Sequence, residues 1–290
     1  MAAAEVTFGG LGRFGVHYDE SADDGQETNL TSRFRLNFSA ATQTDAGIEF
    51  GGIIRTEHNA ANPESKEAVT GAARLHAAMG PVTVQVGNVG DAVDAMPGLY
   101  LPTTSVGTGV NFMDSGSVAI HSVGGFGAKA GVVNGVAFKL GMSGLNLQVN
   151  ASDDHSDRVL SGYVSYKIGD WQVALAGLDD SSPMEKNIVV GTVTGDLGFA
   201  SVGAAFGRNE NVDPNMDADK VRIFGHIPVG MATELVIWGA DEDKNPDGDG
   251  GSFGIDVEHH LGGGVTAVAG FSDSAIDDGA QASAGVFFKF

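Results

Sequence analysis

Apolar and polar residues alternate along most of this chain, in stretches of roughly eight to thirteen residues separated by Gly, Asp, Asn and Pro. From Val6 to Tyr18 the even positions include Val6, Phe8, Phe14, Val16 and Tyr18, while the odd ones include Thr7, Arg13 and His17. Leu30, Phe34, Leu36 and Phe38 then alternate with Asn29, Thr31, Arg33, Arg35 and Asn37. Ile48, Phe50 and Ile54 oppose Glu49, Arg55 and Glu57, and Val69, Ala73, Leu75 and Ala77 oppose Thr70, Arg74 and His76. The pattern resumes after a long irregular stretch and runs to the end, where Val286, Phe288 and Phe290 share one face. A period of two is that of a β-strand, whose side chains point alternately to opposite faces. The pattern predicts sixteen strands and almost no amphipathic helix.

The connections alternate too. Thr42–Ala46, Met79–Pro81, Ser143–Gly144, Gly169–Asp170, Asp196–Gly198, Pro228–Ala232 and Leu261–Gly264 are short. Between them lie long, mostly acidic connections such as Asp19–Thr28, His58–Glu67, Asn209–Asp219 and Asp241–Ser252, with the longest running from Asn88 to about Asn134. Hairpins closed at one end and open at the other form an antiparallel up-and-down meander, one domain over residues 1–290. No helices are available to cover the apolar face, and an open sheet of this size would expose two unpaired edges. Lipid covers such a face, and closure into a transmembrane β-barrel removes the edges. Sixteen strands leave a lumen too wide for side chains to fill, so water fills it.

Composition narrows the picture further. With 37 acidic and 16 basic residues the net charge is −21, which excludes nucleic acid as a partner, since a phosphate backbone needs clustered Lys and Arg. The absence of cysteine excludes disulfides, thiolate metal sites and a cysteine nucleophile. No apolar run reaches the ~20 residues of a spanning helix, and MAAAEV is not a signal peptide.

Five of the basic residues, Arg13, Arg33, Arg35, Arg55 and Arg74, fall in the first four strands, all on the polar face. Like charges on neighbouring strands repel, so this grouping points to a cationic wall kept for function rather than stability. The long third connection carries Asp91, Asp94 and Asp114 and no Lys or Arg before Lys129. Loops of that length inside a compact fold are usually functional. Folded into the lumen, it would set an acidic rim against the arginine wall.

The segments GLGRFGVHY at Gly10–Tyr18, TSRFRLNF at Thr31–Phe38, TQTDAGIEFG at Thr42–Gly51, VTVQVGNV at Val82–Val89 and the closing GVFFKF at Gly285–Phe290 follow one another in a familiar order. In these the chain resembles the Rhodobacter-type general-diffusion porins of alphaproteobacterial outer membranes. The resemblance implies short periplasmic turns, long extracellular loops, and a third loop folded inward as a constriction opposite the five arginines. It further implies a homotrimer with three separate pores and Phe290 as a C-terminal assembly signal. Met1 would then replace a cleaved signal peptide. Relatives carry a carboxylate cluster in the middle of the third loop, whereas Ala95 to Met113 here holds none.

Other chemistry is thin. No G-x-S-x-G elbow or H-E-x-x-H motif is present, and His259 and His260 are adjacent and face opposite ways in a strand. Asp243, Asn245, Asp247 and Asp249 match the first half of a calcium loop, but position twelve is Gly254, so only weak Ca2+ binding is expected there. Acidic outer loops of this kind would meet lipopolysaccharide phosphates through divalent ions. The expectation is a non-enzymatic channel that needs no cofactor and lets small hydrophilic solutes and ions diffuse, screened by size and charge. Net charge favours mild cation preference, tempered by the arginines. The alternatives are a substrate-specific channel, a barrel enzyme, or a soluble acidic calcium-binding β-protein.

Overall fold

The computed structural model describes residues 4–60, 68–103, 134–153, 158–181, 186–211, 217–243, 250–274 and 279–290. The first strands are β1 (Glu5–Asp19), β2 (Thr28–Gln43), β3 (Glu49–Asn59), β4 (Val69–Thr70), β5 (Arg74–Met79) and β6 (Val82–Gly87). After the long connection come β7 (Asn134–Met142), β8 (Leu145–Asp153), β9 (Arg158–Ile168), β10 (Trp171–Asp180), β11 (Lys186–Asp196) and β12 (Ser201–Asn211). The chain ends with β13 (Ala218–Val229), β14 (Thr233–Asp243), β15 (Gly250–Gly262), β16 (Val265–Ser274) and β17 (Gly279–Lys289). Each strand pairs antiparallel with its neighbours, and β17 pairs with β1, so the sheet closes. β4 and β5 both pair with β3 and form one interrupted stave, which leaves sixteen. Among the described residues the only helix is a single 3₁₀ turn, Val93–Ala95, and no helix is long and apolar enough to cross a membrane; the strands make the crossing.

The two faces follow the alternation. From β1 to β16 the outer face bears large exposed apolar side chains, among them Phe8, Leu30, Phe206, Ile223 and Phe253. An apolar belt of that extent belongs against hydrocarbon, not water. The fourth stave departs from the simple pattern. Thr70 faces Thr56 and Arg74 faces Ile53, so three steps along β3 oppose four along its partner. This one-residue bulge switches faces. Val69 sits opposite Glu57, on the inner side, and Thr70 opposite Thr56, whereas uninterrupted alternation puts Val69 outside with Leu75. The Gly71 N–H donates to the Arg55 carbonyl at 2.9 Å, and the Ala73 carbonyl accepts from the Asn88 N–H at 3.1 Å, where the long connection departs.

Closure depends on aromatic rings at the seam. The Phe288 ring lies over Gly12 of β1, where a Cβ would sit 2.2 Å from the ring. Phe290 exchanges backbone hydrogen bonds with Gly10, at 2.9 and 3.3 Å, and stacks on Phe34 of β2 with centroids 5.6 Å apart. The last residue thus ties the end of β17 to the first two strands. A stacked pair is worth about 1 kcal/mol. Phe290→Ala is expected to lower the temperature at which the folded barrel converts to the unfolded band on a heat-modifiability gel; an unchanged transition would mean the ring does not help close the seam.

Candidate functional site

The alternation that puts Phe and Val outside puts the arginines inside. Arg13 lies directly opposite Arg33, Arg55 opposite Asn37, and Arg74 opposite Ile53. Two guanidinium groups facing each other on adjacent strands repel, and Glu57 answers them. Its Oε1 accepts from Arg33 Nη2 at 2.7 Å and its Oε2 accepts from Arg35 Nε. Arg55 Nε donates to Asn37 Oδ1 at 2.9 Å. Arg13 and Arg33 act electrostatically on one another, as do Arg55 and Arg74. Lys139 of β7, opposite Thr83, falls within the field of Arg74 and extends the cationic row. Nearer the short turns His76 Nε2 meets Glu49 Oε1 at 3.0 Å.

The register decides how high these groups stand. A row of paired residues starts at Thr7, near the short-turn end of β1, and passes through Ser39, Ile53 and Arg74 to Gly87, the last residue of β6. Rows therefore climb toward the long-loop rim on passing from each strand to the next, as a barrel's shear requires. Arg13 and Arg33 share a row, and from Arg35 of the same strand to Arg55 and then Arg74 each step is one strand on and two residues back down, which cancels most of the climb. Arg13, Arg33, Arg35, Arg55 and Arg74 consequently form a belt around one side of the pore, not a column along it.

The same climb carries the Thr7 row on through Gly135, Ser152, Val159 and Asp180, at or beside the long-loop ends of β7 to β10. The height of the belt on the far wall therefore lies several residues back from those ends. The third connection is fixed there. Asn150 Nδ2 donates to the Gly90 carbonyl at 2.8 Å, and the Ala92 N–H donates to Ser161 Oγ at 2.8 Å. Thr192 Oγ1 donates to the Pro97 carbonyl at 2.7 Å. Arg222, fully buried, donates from Nη2 to the Gly98 carbonyl at 2.6 Å and from Nη1 to the Leu99 carbonyl at 2.7 Å. Thr103 Oγ1 contacts the carboxylates of Asp256 and, at 3.0 Å, Glu258. Gly98 has φ of +76° and lies so close to Thr192 and Thr194 that any side chain would crowd them.

Residues Asn88–Thr103 thus run along the inner wall from β8 to β15, on the side away from the arginines. Val93, Met96 and Leu99 bury against Ala174, Ala176, Leu178, Ile188, Val190 and Ala205. Leu101 covers Phe224 and Trp238. The inner face of β10 to β12 therefore carries an apolar patch beside polar Thr192 and Thr194. Tyr163 also packs on this lumenal cluster. Of the acidic candidates, Asp94 accepts from the Tyr100 hydroxyl at 2.5 Å within the loop itself, and Asp91 lies in the same stretch. Asp114 falls outside the described residues, as do Asn245, Asp247, Asp249 and the side chain of Asp243 from the calcium motif. Reading the sequence missed the loop's anchors. Apolar residues on both faces of WQVALAGL at Trp171–Leu178 were the signal, since two-sided burial needs a second partner.

Arg222 holds two loop carbonyls from a buried site, and each charge-assisted bond is worth roughly 2 kcal/mol. Arg222→Ala is expected to give larger and noisier single-channel currents with the heat stability of the barrel retained. Wild-type current levels would show that the remaining anchors suffice.

Comparison with known proteins agrees with this architecture. The profile of the Gram-negative porin family matches residues 1–279. The chain is 28% identical over 302 residues to a porin of Fuscovulum blasticum, covering 99% of this chain and 100% of the relative. It is 25% identical over 315 residues to the porin of Rhodobacter capsulatus, again over 99% and 100%. Solved structures of mutants of the Rh. blastica porin match with TM-scores of 0.85 and 0.86 at 22 and 23% identity, over 99% of this chain and 100% of theirs. A closed barrel with a lipid-ready exterior, a charged lumen and a family match over nearly its whole length has one reading: the chain belongs to the Gram-negative porins and is an outer-membrane channel for passive diffusion.

Proposed function

We propose that the third connection, residues 88–134, and the belt of Arg13, Arg33, Arg35, Arg55 and Arg74 form an eyelet that screens diffusing solutes by size and charge. The observation that carries this reading is the shared height of belt and loop on opposite walls, set by the climb of the register. A charged wall facing a fixed loop across water narrows the passage and orders the ions within it. Asp91, Asp94 and Asp114 supply the loop's negative charge. Nothing in this arrangement turns a substrate over, and the relatives are channels.

The working form is a homotrimer of separate pores, and the acidic long connections meet lipopolysaccharide phosphates through bridging divalent cations. The net charge of −21 and the carboxylates of Asp19–Glu27 support the second point. Ca2+ would bind weakly at Asp243, Asn245, Asp247 and Asp249. Phe290, at the seam, serves as the assembly signal.

Swelling of proteoliposomes in isosmotic sugars tests the eyelet. Uptake is expected to fall steeply from a pentose to a trisaccharide, and equal rates across the series would mean the lumen has no narrow point. In planar bilayers, current is expected to rise in steps of three; single equal steps from detergent-purified protein would exclude the trimer.

A further inference from the structure

We infer that the eyelet favours small oxyanions, carboxylates or phosphates, over cations, although the chain as a whole is strongly acidic. This deepens the eyelet reading above and rests on it. The belt holds six cations, Arg13, Arg33, Arg35, Arg55, Arg74 and Lys139, with Glu57 as the carboxylate set among them. The described part of the third connection, Asn88–Thr103, adds Asp91 and Asp94. On the far wall the loop touches Arg222 through Gly98 and Leu99 and, separately, Asp256 and Glu258 through Thr103, while Lys220, two residues from Arg222 on the same face of β13, is matched by Glu242 at 2.7 Å. Among these described residues eight cations therefore stand against six carboxylates, an excess of two positive charges. Ion pairing moves that charge about but does not change its sum. The remaining negative charge of the chain lies elsewhere, much of it in long connections such as Asp19–Thr28 and Asp241–Ser252.

Placement strengthens the sign. The carboxylates Glu242, Asp256 and Glu258 are buried, as are the cations Arg13, Lys220 and Arg222, which leaves Arg33, Arg35, Arg55, Arg74 and Lys139 against Glu57, Asp91 and Asp94 among the partly open groups. Arg33 and Arg35 each keep nearly a fifth of the side chain open. In the described loop the exposed residues Ala95 and Pro102 are neutral, and the half-buried Asp94 is engaged by the Tyr100 hydroxyl. A solute in the eyelet thus meets guanidinium forks on one side, a geometry suited to two carboxylate or phosphate oxygens at once. Carboxylates at the outer mouth act at a distance, and salt shortens that reach to about 8 Å at 0.15 M and about 3 Å at 1 M. The local groups then decide the selectivity.

The test is the reversal potential of the detergent-purified full chain in a planar bilayer, under a potassium chloride gradient near 1 M and then with potassium acetate. The reversal potential is expected to carry the sign of anion preference in both salts, for chloride and for acetate over potassium. The triple variant Arg33→Gln/Arg35→Gln/Arg55→Gln should reverse the sign, and Glu57→Gln should increase the anion preference. A merely structural disturbance would not move the two variants in opposite directions. Open, size-limited channels with cation preference in the wild type would overturn the inference and leave the eyelet standing. Channels without a size limit, or no channels at all, would overturn the eyelet reading and this inference with it.

Discussion

The structure depends on one constraint: in hydrocarbon every backbone N–H and C=O must find its partner within the protein. An antiparallel sheet does this everywhere except at its edges, and pairing β17 with β1 removes them. Closure then forces a stagger between neighbouring strands, because tilted strands meet their first partner again only at a shifted register. That stagger has a consequence for the pore. It converts a diagonal set of positions, Arg13 and Arg33, then Arg35, Arg55 and Arg74, into a belt at nearly one height. It also puts Asn150, Ser161, Thr192, Arg222 and Asp256 of the opposite wall at that level. Hydrogen bonding along the whole barrel therefore fixes which side chains can meet across the water.

A water-filled lumen creates the reverse of the usual packing problem. The barrel's exterior needs no protein partner, but a loop held in the lumen needs one. β10, β11 and β12 supply it by turning Ala174, Ala176, Ile188, Val190 and Ala205 inward. Small side chains let Val93, Met96 and Leu99 come close to the wall. Polar anchors then fix the loop's direction, since an apolar seat alone would let it slide. Four of the anchors bind main-chain groups of Gly90, Ala92, Pro97, Gly98 and Leu99, so the loop's path is held through its backbone and its side chains are left free to vary.

Much of this was legible in the sequence, because a period of two reports which face a residue takes. The faces of Val6–Tyr18 and of Leu30–Phe38, the alternation of short and long connections, and the lumenal side of all five arginines follow from that alone. Alternation says nothing of neighbours across the pore. Arg222 and Thr103 look like any inward or loop residue, and their importance comes from partners more than a hundred positions away. The bulge between Thr70 and Arg74 hid for a related reason: one inserted residue leaves composition unchanged but reverses the face of Val69.

The arginine belt is the least stable choice the lumen could have made for these positions. Arg13 and Arg33 face each other directly, Arg35 and Arg55 stand within reach, and Glu57 brings one negative charge to the group. Replacing the belt and Glu57 together with the Asn and Ser found elsewhere on the inner wall would relieve the repulsion without touching the backbone pairing that holds the barrel. Repulsion that is retained where stability does not need it marks a site where charge acts on what passes. Whole-chain charge is a poor guide to that action. The carboxylates that make the chain acidic sit largely in connections exposed to salt, whereas the belt stands where an ion must shed part of its screening to pass. Selectivity at a narrow point follows the few charges within a Debye length of the ion, so in the proposed eyelet the local cations, not the net charge of the chain, would set the sign.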